Sequence, residues 1–530
     1  MLSPCGGDSD ARRYGMQAST LSPDSRGNIT ISRYVDTVVK RWQRYAGDQA
    51  LGTSTFLLPG IRVRSSFVQV SVPPHGKEAK PMHGKKQFRN SLFQVISRAA
   101  AAVLAIVVLF SLMLILTQSA PAQTFTVLHN FTGGLDGRNP YAGLTMDAAG
   151  NLYGTTCGAV CATGESNAGT VFRLSKRGPS WLFIPLYTFR GGNDGAGPAA
   201  RVIVEPNGSL SGTTMYGGGS GCGGSGCGTV FNLKPPPSVP PNVFGAWTET
   251  VLYSFQGGSD GAYPGFGDLV FDPSGNIYGT TGNGGNANAG MVFQLTPSGG
   301  GWRENVLYTF TGGYDGNGPL GGVILGSAGN LYGTTFQGGD GSCLYGPCGT
   351  VFELTPSGSG YIETVLHNFQ GGSDGSNPIG GVAQGNYGTI GTTSIGGTNG
   401  GGTAFILNSQ MFLYSFPGNN YNLPWPGPWS NLVYGAIGPS GTTYADGAHQ
   451  YGSVFYMYGC AGWDAVTLHD FTGGLDGAYP VSSLLFDANG NIFGTTSEGG
   501  AYGFGVVFEI TGAQDSQIGS AESSTCAKDH

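Results

Sequence analysis

Charge is what this chain has least of: Asp, Glu, Lys and Arg together make up 10% of its 530 residues. That resembles neither an average globular enzyme nor a disordered acidic tail. Basic residues are scarcer still where most of the chain lies. Residues 123–530 carry 9 Lys/Arg against 25 Asp/Glu, whereas residues 1–122 carry 15 against 6. The larger part is therefore net −16, which argues against nucleic acid or anionic lipid as its partner. Histidine and further cysteine are missing beside the close cysteine pairs, so no pair has the four ligands that zinc requires.

What is abundant is glycine, at 97 residues, together with 30 prolines and 12% aromatics. Gly-rich turns between aromatic and β-branched runs predict an all-β protein of many short strands. The long apolar run, Ala99 to Leu116, follows Lys85, Lys86, Arg89 and Arg98 and precedes Ala120-Pro121-Ala122. Read from Met82, this is a secretory signal cut after Ala122. Read from Met1, it is long enough to anchor the chain in a membrane with the first 98 residues inside. The placement of the cleavage motif favours the signal. The expected organisation is an extension over 1–81, disordered or an over-long gene start, then a signal peptide or anchor over 82–122. The repeats follow over 123–511 and a polar tail over 512–530. Export to the cell surface, envelope or medium fits the eight cysteines after Ala122, read as disulfides: Cys157/Cys161, Cys222/Cys227, Cys343/Cys348, and a candidate pair Cys460/Cys526.

A phrase beginning "NFTGGLDGRNP" at Asn130 recurs down the chain. Aligning on its Phe gives Phe131, Phe189, Phe255, Phe310, Phe369, Phe416 and Phe471, spaced by about 47 to 66 residues. Four strand-length segments recur per unit, as in "YAGLTMDAAG", "NLYGTT", "GTVFRLS" and "WLFIPLYTF". Seven such units predict a seven-bladed β-propeller with four strands per blade. The repeats open with a lone fourth-type strand, Phe125 to Phe131, and end with a third-type strand, Gly505 to Ile510. The ring is complete only if the N-terminal strand joins the last blade.

These units, for example "VLYTFTGGYDGNGPLGGVILGSAGNLYGTT…GTVFELTPSG", resemble the GloVer-type tandem repeat of secreted bacterial proteins. The resemblance covers about Phe125 to Thr511. It implies secretion and brings no assigned chemistry or catalytic residues with it. The family's C-terminal anchor has no counterpart in the tail from Gly512 to His530.

The repeated Asp136, Asp194, Asp260, Asp315, Asp374 and Asp476 read as turn residues bonding nearby backbone N–H groups. Calcium is the competing reading, with no other cofactor expected, although one carboxylate per loop is few ligands. His129, His367 and His469 share a slot with Tyr187, Tyr253, Tyr308 and Tyr414, which marks a packing position rather than a metal site. Gly-x-Ser-x-Gly at Gly257 and Gly371 lacks the strand-to-helix turn of a nucleophile elbow. The sixth unit breaks the pattern, with "FPGNNYNLPWPGPWSNLVYG" and "TTYADGAHQYG". Both segments open on one face of a propeller, so Tyr421, Trp425, Trp429, Asp446, His449 and Tyr451 are candidates to converge on a ligand; a decayed blade filled by Trp and Pro is the plainer reading. The leading functional expectation is a non-catalytic, monomeric module binding a glycan or protein, touching membrane only through an uncleaved N-terminal helix. The alternatives are an extracellular lyase or hydrolase working at the channel mouth, with Asp147, Glu205, Asp272 and Asp487 as its nearest acids, or a purely structural envelope protein.

Overall fold

The structure, a computed structural model, describes residues 123–158, 168–237, 245–358, 360–385, 388–407, 412–418, 426–435, 438–459 and 463–513, all within the compact unit Val107–His530. The expected extension and signal, Cys161, Tyr421, Trp425, Cys460, Cys526 and nearly all of the tail lie outside the described residues. No helix among the described residues is long and apolar enough to cross a membrane.

The described residues form seven four-stranded antiparallel sheets, the blades of a β-propeller. Blade one comprises Thr145–Met146, Leu152–Thr156, Thr170–Arg177 and Ser180–Thr188, and the next five repeat its order. Blade seven holds Leu485–Phe486, Ile492–Thr496 and Val506–Thr511, and its fourth strand is the N-terminal Thr124–Asn130. The pairing runs from Thr124 opposite Thr511 to Asn130 opposite Val506, so the ring closes as the repeat register requires.

Two phenylalanines per repeat hold neighbouring blades together. The Phe preceding each turn is buried and meets, edge to face, the Phe in the third strand of the next blade. Ring centroids are 5.3 Å apart for Phe131–Phe172, 5.1 Å for Phe189–Phe231 and 5.4 Å for Phe471–Phe508, a favoured geometry for aromatic quadrupoles. The third-strand Phe also explains the glycine of the Gly-Thr-Thr segment. A Cβ placed on Gly279 would lie 2.6 Å from Phe293 Cζ, and Gly154, Gly333 and Gly494 meet Phe172, Phe352 and Phe508 in the same way. The glycine is a notch that the ring of the neighbouring strand fills. Gly279→Ala is therefore expected to cost about 1–3 kcal/mol through overpacking, read from chemical denaturation; an unchanged midpoint would show that the ring can move aside freely.

The two threonines after that glycine point to different partners. The second bonds within the blade, as in Thr156 Oγ1 to Thr170 Oγ1 at 2.7 Å and Thr335 Oγ1 to Thr350 Oγ1 at 2.8 Å. The first reaches the carbonyl of the loop entering the next blade. Thr155 donates to Ala200 O, Thr334 to Gly380 O, Thr392 to Ser430 O, Thr442 to Ser482 O and Thr495 to Ala142 O. These five bonds set the entry loops side by side around the axis.

Candidate functional site

The Gly-Gly-x-Asp-Gly turns lie at the outer end of those entry loops, and their aspartates are spent on the turn itself. Asp315 accepts from Thr311 N at 2.8 Å, Thr311 Oγ1 at 2.5 Å and Tyr308 OH at 3.1 Å. Asp136 and Asp476 do the same with Thr132 and Thr472, and with His129 and His469 Nε2 at 3.1 Å. His367 Nε2 stands 3.2 Å from Asp374 Oδ2, while Tyr187 and Tyr253 donate to Asp194 and Asp260. A carboxylate has no proton to give, so the shared slot must supply a donor, and His and Tyr both do. Burial pushes the Asp476 carboxyl up, but the Thr472 and His469 bonds outweigh it and leave the group below its ordinary value. Burial holds His129 and His469 below theirs despite the adjacent aspartates. Among the described residues no three His, Cys, Asp or Glu side chains group as metal ligands.

Inside the turns the entry loops converge on a cavity of about 240 Å³ at the axis. The residue after the turn proline forms its collar: Tyr141, Ala199, Leu320, Ile379, Trp429 and Val481, with Phe266 from blade three and Phe336 from a loop between second and third strands. Two positions further along lie Gly143, Arg201, Asn431 and Ser483, with Asp268 at the corresponding point of blade three. Arg201 Nη2 lies 2.8 Å from Asp268 Oδ2, and Arg201 N donates to Asp268 Oδ1 at 3.0 Å. Among the described charged residues, only this pair lines the cavity.

Blade three departs from the repeat here. Three residues lie between the turn proline and the first core apolar residue in the other units, as between Pro198 and Val202, but four lie between Pro264 and Leu269. The extra residue leaves Phe266 44% exposed at the mouth. On the adjoining blade, Thr213 Oγ1 is buried without a hydrogen-bond partner, whereas Thr155, Thr334, Thr392, Thr442 and Thr495 at the equivalent position each have one. The longer segment after Pro264, and a lone Arg and Asp in a slot otherwise Gly, Ser or Asn, were signals readable from the sequence.

The described candidates of unit six fall into two places. Trp429 lines the cavity and stacks on Tyr444 at 4.4 Å; Tyr444 stacks on Tyr479 at 4.9 Å, and Tyr479 meets Tyr451 at 5.6 Å. Tyr451 is thereby linked to Trp429, through two tyrosines that the sequence pattern did not single out. Tyr451 also covers the turn at Gly473, a place taken by Phe504 over Gly133 and by the Cys343–Cys348 disulfide at Gly371. His449 Nδ1 pairs with Asp470 Oδ2 at 3.3 Å, away from the cavity lining. Asp446 is buried, and that burial pushes its carboxyl up to about 6. Asp147, Asp272 and Asp487 tie the hairpins between first and second strands through bonds such as Asn151 N to Asp147 Oδ1 at 2.9 Å. Glu205, in the equivalent hairpin of blade two, accepts from Ser211 Oγ and Asn232 Nδ2. None of these four acids lines the cavity. Cys222–Cys227 and Cys343–Cys348 are disulfides, and Cys157 is disulfide-bonded too.

Residues 114–345, 223–428 and 344–521 match, in overlapping stretches, the model of the Gloeobacter/Verrucomicrobia repeat. The chain belongs to that family. The three matches of the Gloeobacter/Verrucomicrobia repeat run through every blade of the ring. No curated protein matches the chain. Among solved structures it is similar to a putative 6-phosphogluconolactonase from Bacteroides uniformis, at 15% identity and TM-score 0.34 over 62% of this chain and 84% of that one. A protein of unknown function from Dyadobacter fermentans gives 12%, 0.35, 65% and 98%. Trypanosoma rangeli sialidase gives 10%, 0.37, 74% and 59%. Likenesses this distant bear on neither activity nor ligand.

Proposed function

We propose that this member of the repeat family is an exported, non-catalytic binding module whose ligand enters the axial mouth. One observation carries the reading: entry loops from all seven blades converge on a single concave, aromatic-walled cavity, the setting in which small ligands are held. Support for binding over hydrolysis comes from the lining, in which, among the described residues, the two charged side chains satisfy each other and no histidine or glutamate stands by. Export is supported by the disulfides, which persist in oxidising compartments.

Thermal-shift screening of the protein beginning at Gln123 tests this. A ligand at the mouth raises Tm, and Trp429→Ala removes at least half of that rise, because the ring forms one wall; a shift indifferent to Trp429 would place the ligand elsewhere. Calcium at millimolar concentration is expected to leave Tm unmoved, since the turn aspartates are already bonded. A calcium-induced rise lost in Asp315→Asn would make them ligands instead.

A further inference from the structure

Taken as a chemical surface, the described mouth has its carboxylate, amide and serine oxygens already accepting hydrogen bonds, while its guanidinium keeps donors to spare. Both Asp268 oxygens are taken up by Arg201. Asn431 Oδ1 accepts from Gly381 N, and Ser483 Oγ accepts from Asn431 N. Ser430 Oγ accepts from Thr442 N and Oγ1, and Ser482 Oγ accepts from Thr495 N. Ser430 and Ser482 are also nearly inaccessible, at 3% and 2% exposure. Against this, the Arg201 side chain remains 28% exposed and contacts Asp268 through Nη2, while a guanidinium carries five N–H groups and no acceptor. The collar around it is Tyr141, Phe266, Leu320, Ile379, Trp429 and Val481.

A sugar brings a donor with every hydroxyl, and the donors pressed against the apolar collar would go unmatched, which is costly. An apolar ring whose only polar atom is an acceptor meets the opposite situation. The charge on Arg201 is already answered by Asp268, so the attraction on offer is a hydrogen bond rather than a net positive field. Building on the axial-site reading above, we infer that the ligand is a small aromatic or alicyclic molecule bearing a carbonyl-type acceptor oxygen, received by the Arg201 guanidinium while its ring packs against Phe266 and Trp429. The extra residue of blade three is what brings Phe266 and Asp268 to the mouth together, so the departure from repeat symmetry builds both the apolar wall and the partner that holds Arg201 in place.

Ligand-observed NMR titrations with four probes decide it: acetophenone, its near-isosteric hydrocarbon ethylbenzene, benzoate, and methyl β-glucoside. Acetophenone is expected to bind about 5-fold more tightly than ethylbenzene, the size of one net hydrogen bond, with benzoate no tighter than acetophenone and the glucoside weakest. In Arg201→Met/Asp268→Asn, which avoids stranding a buried charge, the preference over ethylbenzene should vanish while ethylbenzene itself still binds. Equal binding of acetophenone and ethylbenzene to the unaltered protein overturns the inference without need of any variant. Glucoside binding that depends on Trp429 overturns it while leaving the axial site intact. Failure of every probe, or binding unaffected by Trp429→Ala, overturns the axial site as well.

Discussion

Removing the first strand, Thr124–Asn130, is expected to lower the melting temperature by on the order of 10 °C or to abolish cooperative folding. The strand is the fourth of blade seven, and without it the backbone of Val506–Thr511 becomes an open edge in a fold that otherwise leaves only short ones. Its side chains also bind two blades together. Phe125 stacks on His469 of blade six with centroids 3.7 Å apart and planes within 8°, and it meets Phe508 at 5.4 Å. His129 stacks on Phe183 of blade one at 4.1 Å. Deletion therefore opens the seam on both sides at once. Comparing thermal unfolding of proteins beginning at Gln123 and at Phe131 provides the measurement. A synthetic peptide of residues 123–131 should restore part of the loss by adding as a strand to the free edge. Equal melting temperatures would mean that the strand decorates a ring already closed without it.

That closure was readable in advance because it is a matter of counting: a fourth-type strand at one end and a third-type strand at the other leave one arrangement that completes seven blades. The notch at Gly279 was not readable. Sequence shows a glycine inside a strand, and only the register, with Gly279 opposite Phe293, shows what fills the space. Unit six departs from the repeat in two whole segments, which is visible in the sequence, and of its described candidates the structure brings Trp429 to the cavity. The single extra residue before Leu269 was harder to see, since in a chain with variable linkers one insertion looks like loop variation. Its position next to the axis, which gives it consequence, is set by the fold.

A second expected result concerns pH, and it too arises from contacts between blades. Glu249, Glu304 and Glu363 each stand four residues before the His/Tyr slot of their own blade and near the turn aspartate of the blade before: Asp194, Asp260 and Asp315. Burial first, and the neighbouring aspartate second, push each carboxyl from 4.5 up to about 7. One oxygen of each, Oε1, is buried without a hydrogen-bond partner. Phe183 and Phe125 fill the same place in blades one and seven, stacked on His129 and His469. A phenylalanine thus faces each of those histidines, while the glutamates face the pairs headed by Tyr187, Tyr253 and Tyr308. A carboxyl that binds its proton more tightly folded than unfolded stabilises the fold fully below pH 4.5, and that contribution is lost as pH rises through about 7. His129 and His469 act in the opposite sense, because their lowered values make the fold lose stability as pH falls below 6.5. The wild-type profile sums these with other shifted groups, Asp446 and Asp476 among them, so the decisive quantity is a difference. Glu249→Gln/Glu304→Gln/Glu363→Gln imitates the protonated state at every pH. It should match the wild type near pH 4.5 and exceed it in Tm by on the order of 3 °C at pH 8, after allowance for the screening of half-buried groups. Parallel curves across that range would mean that these carboxylates ionise in the folded ring as freely as in the unfolded chain.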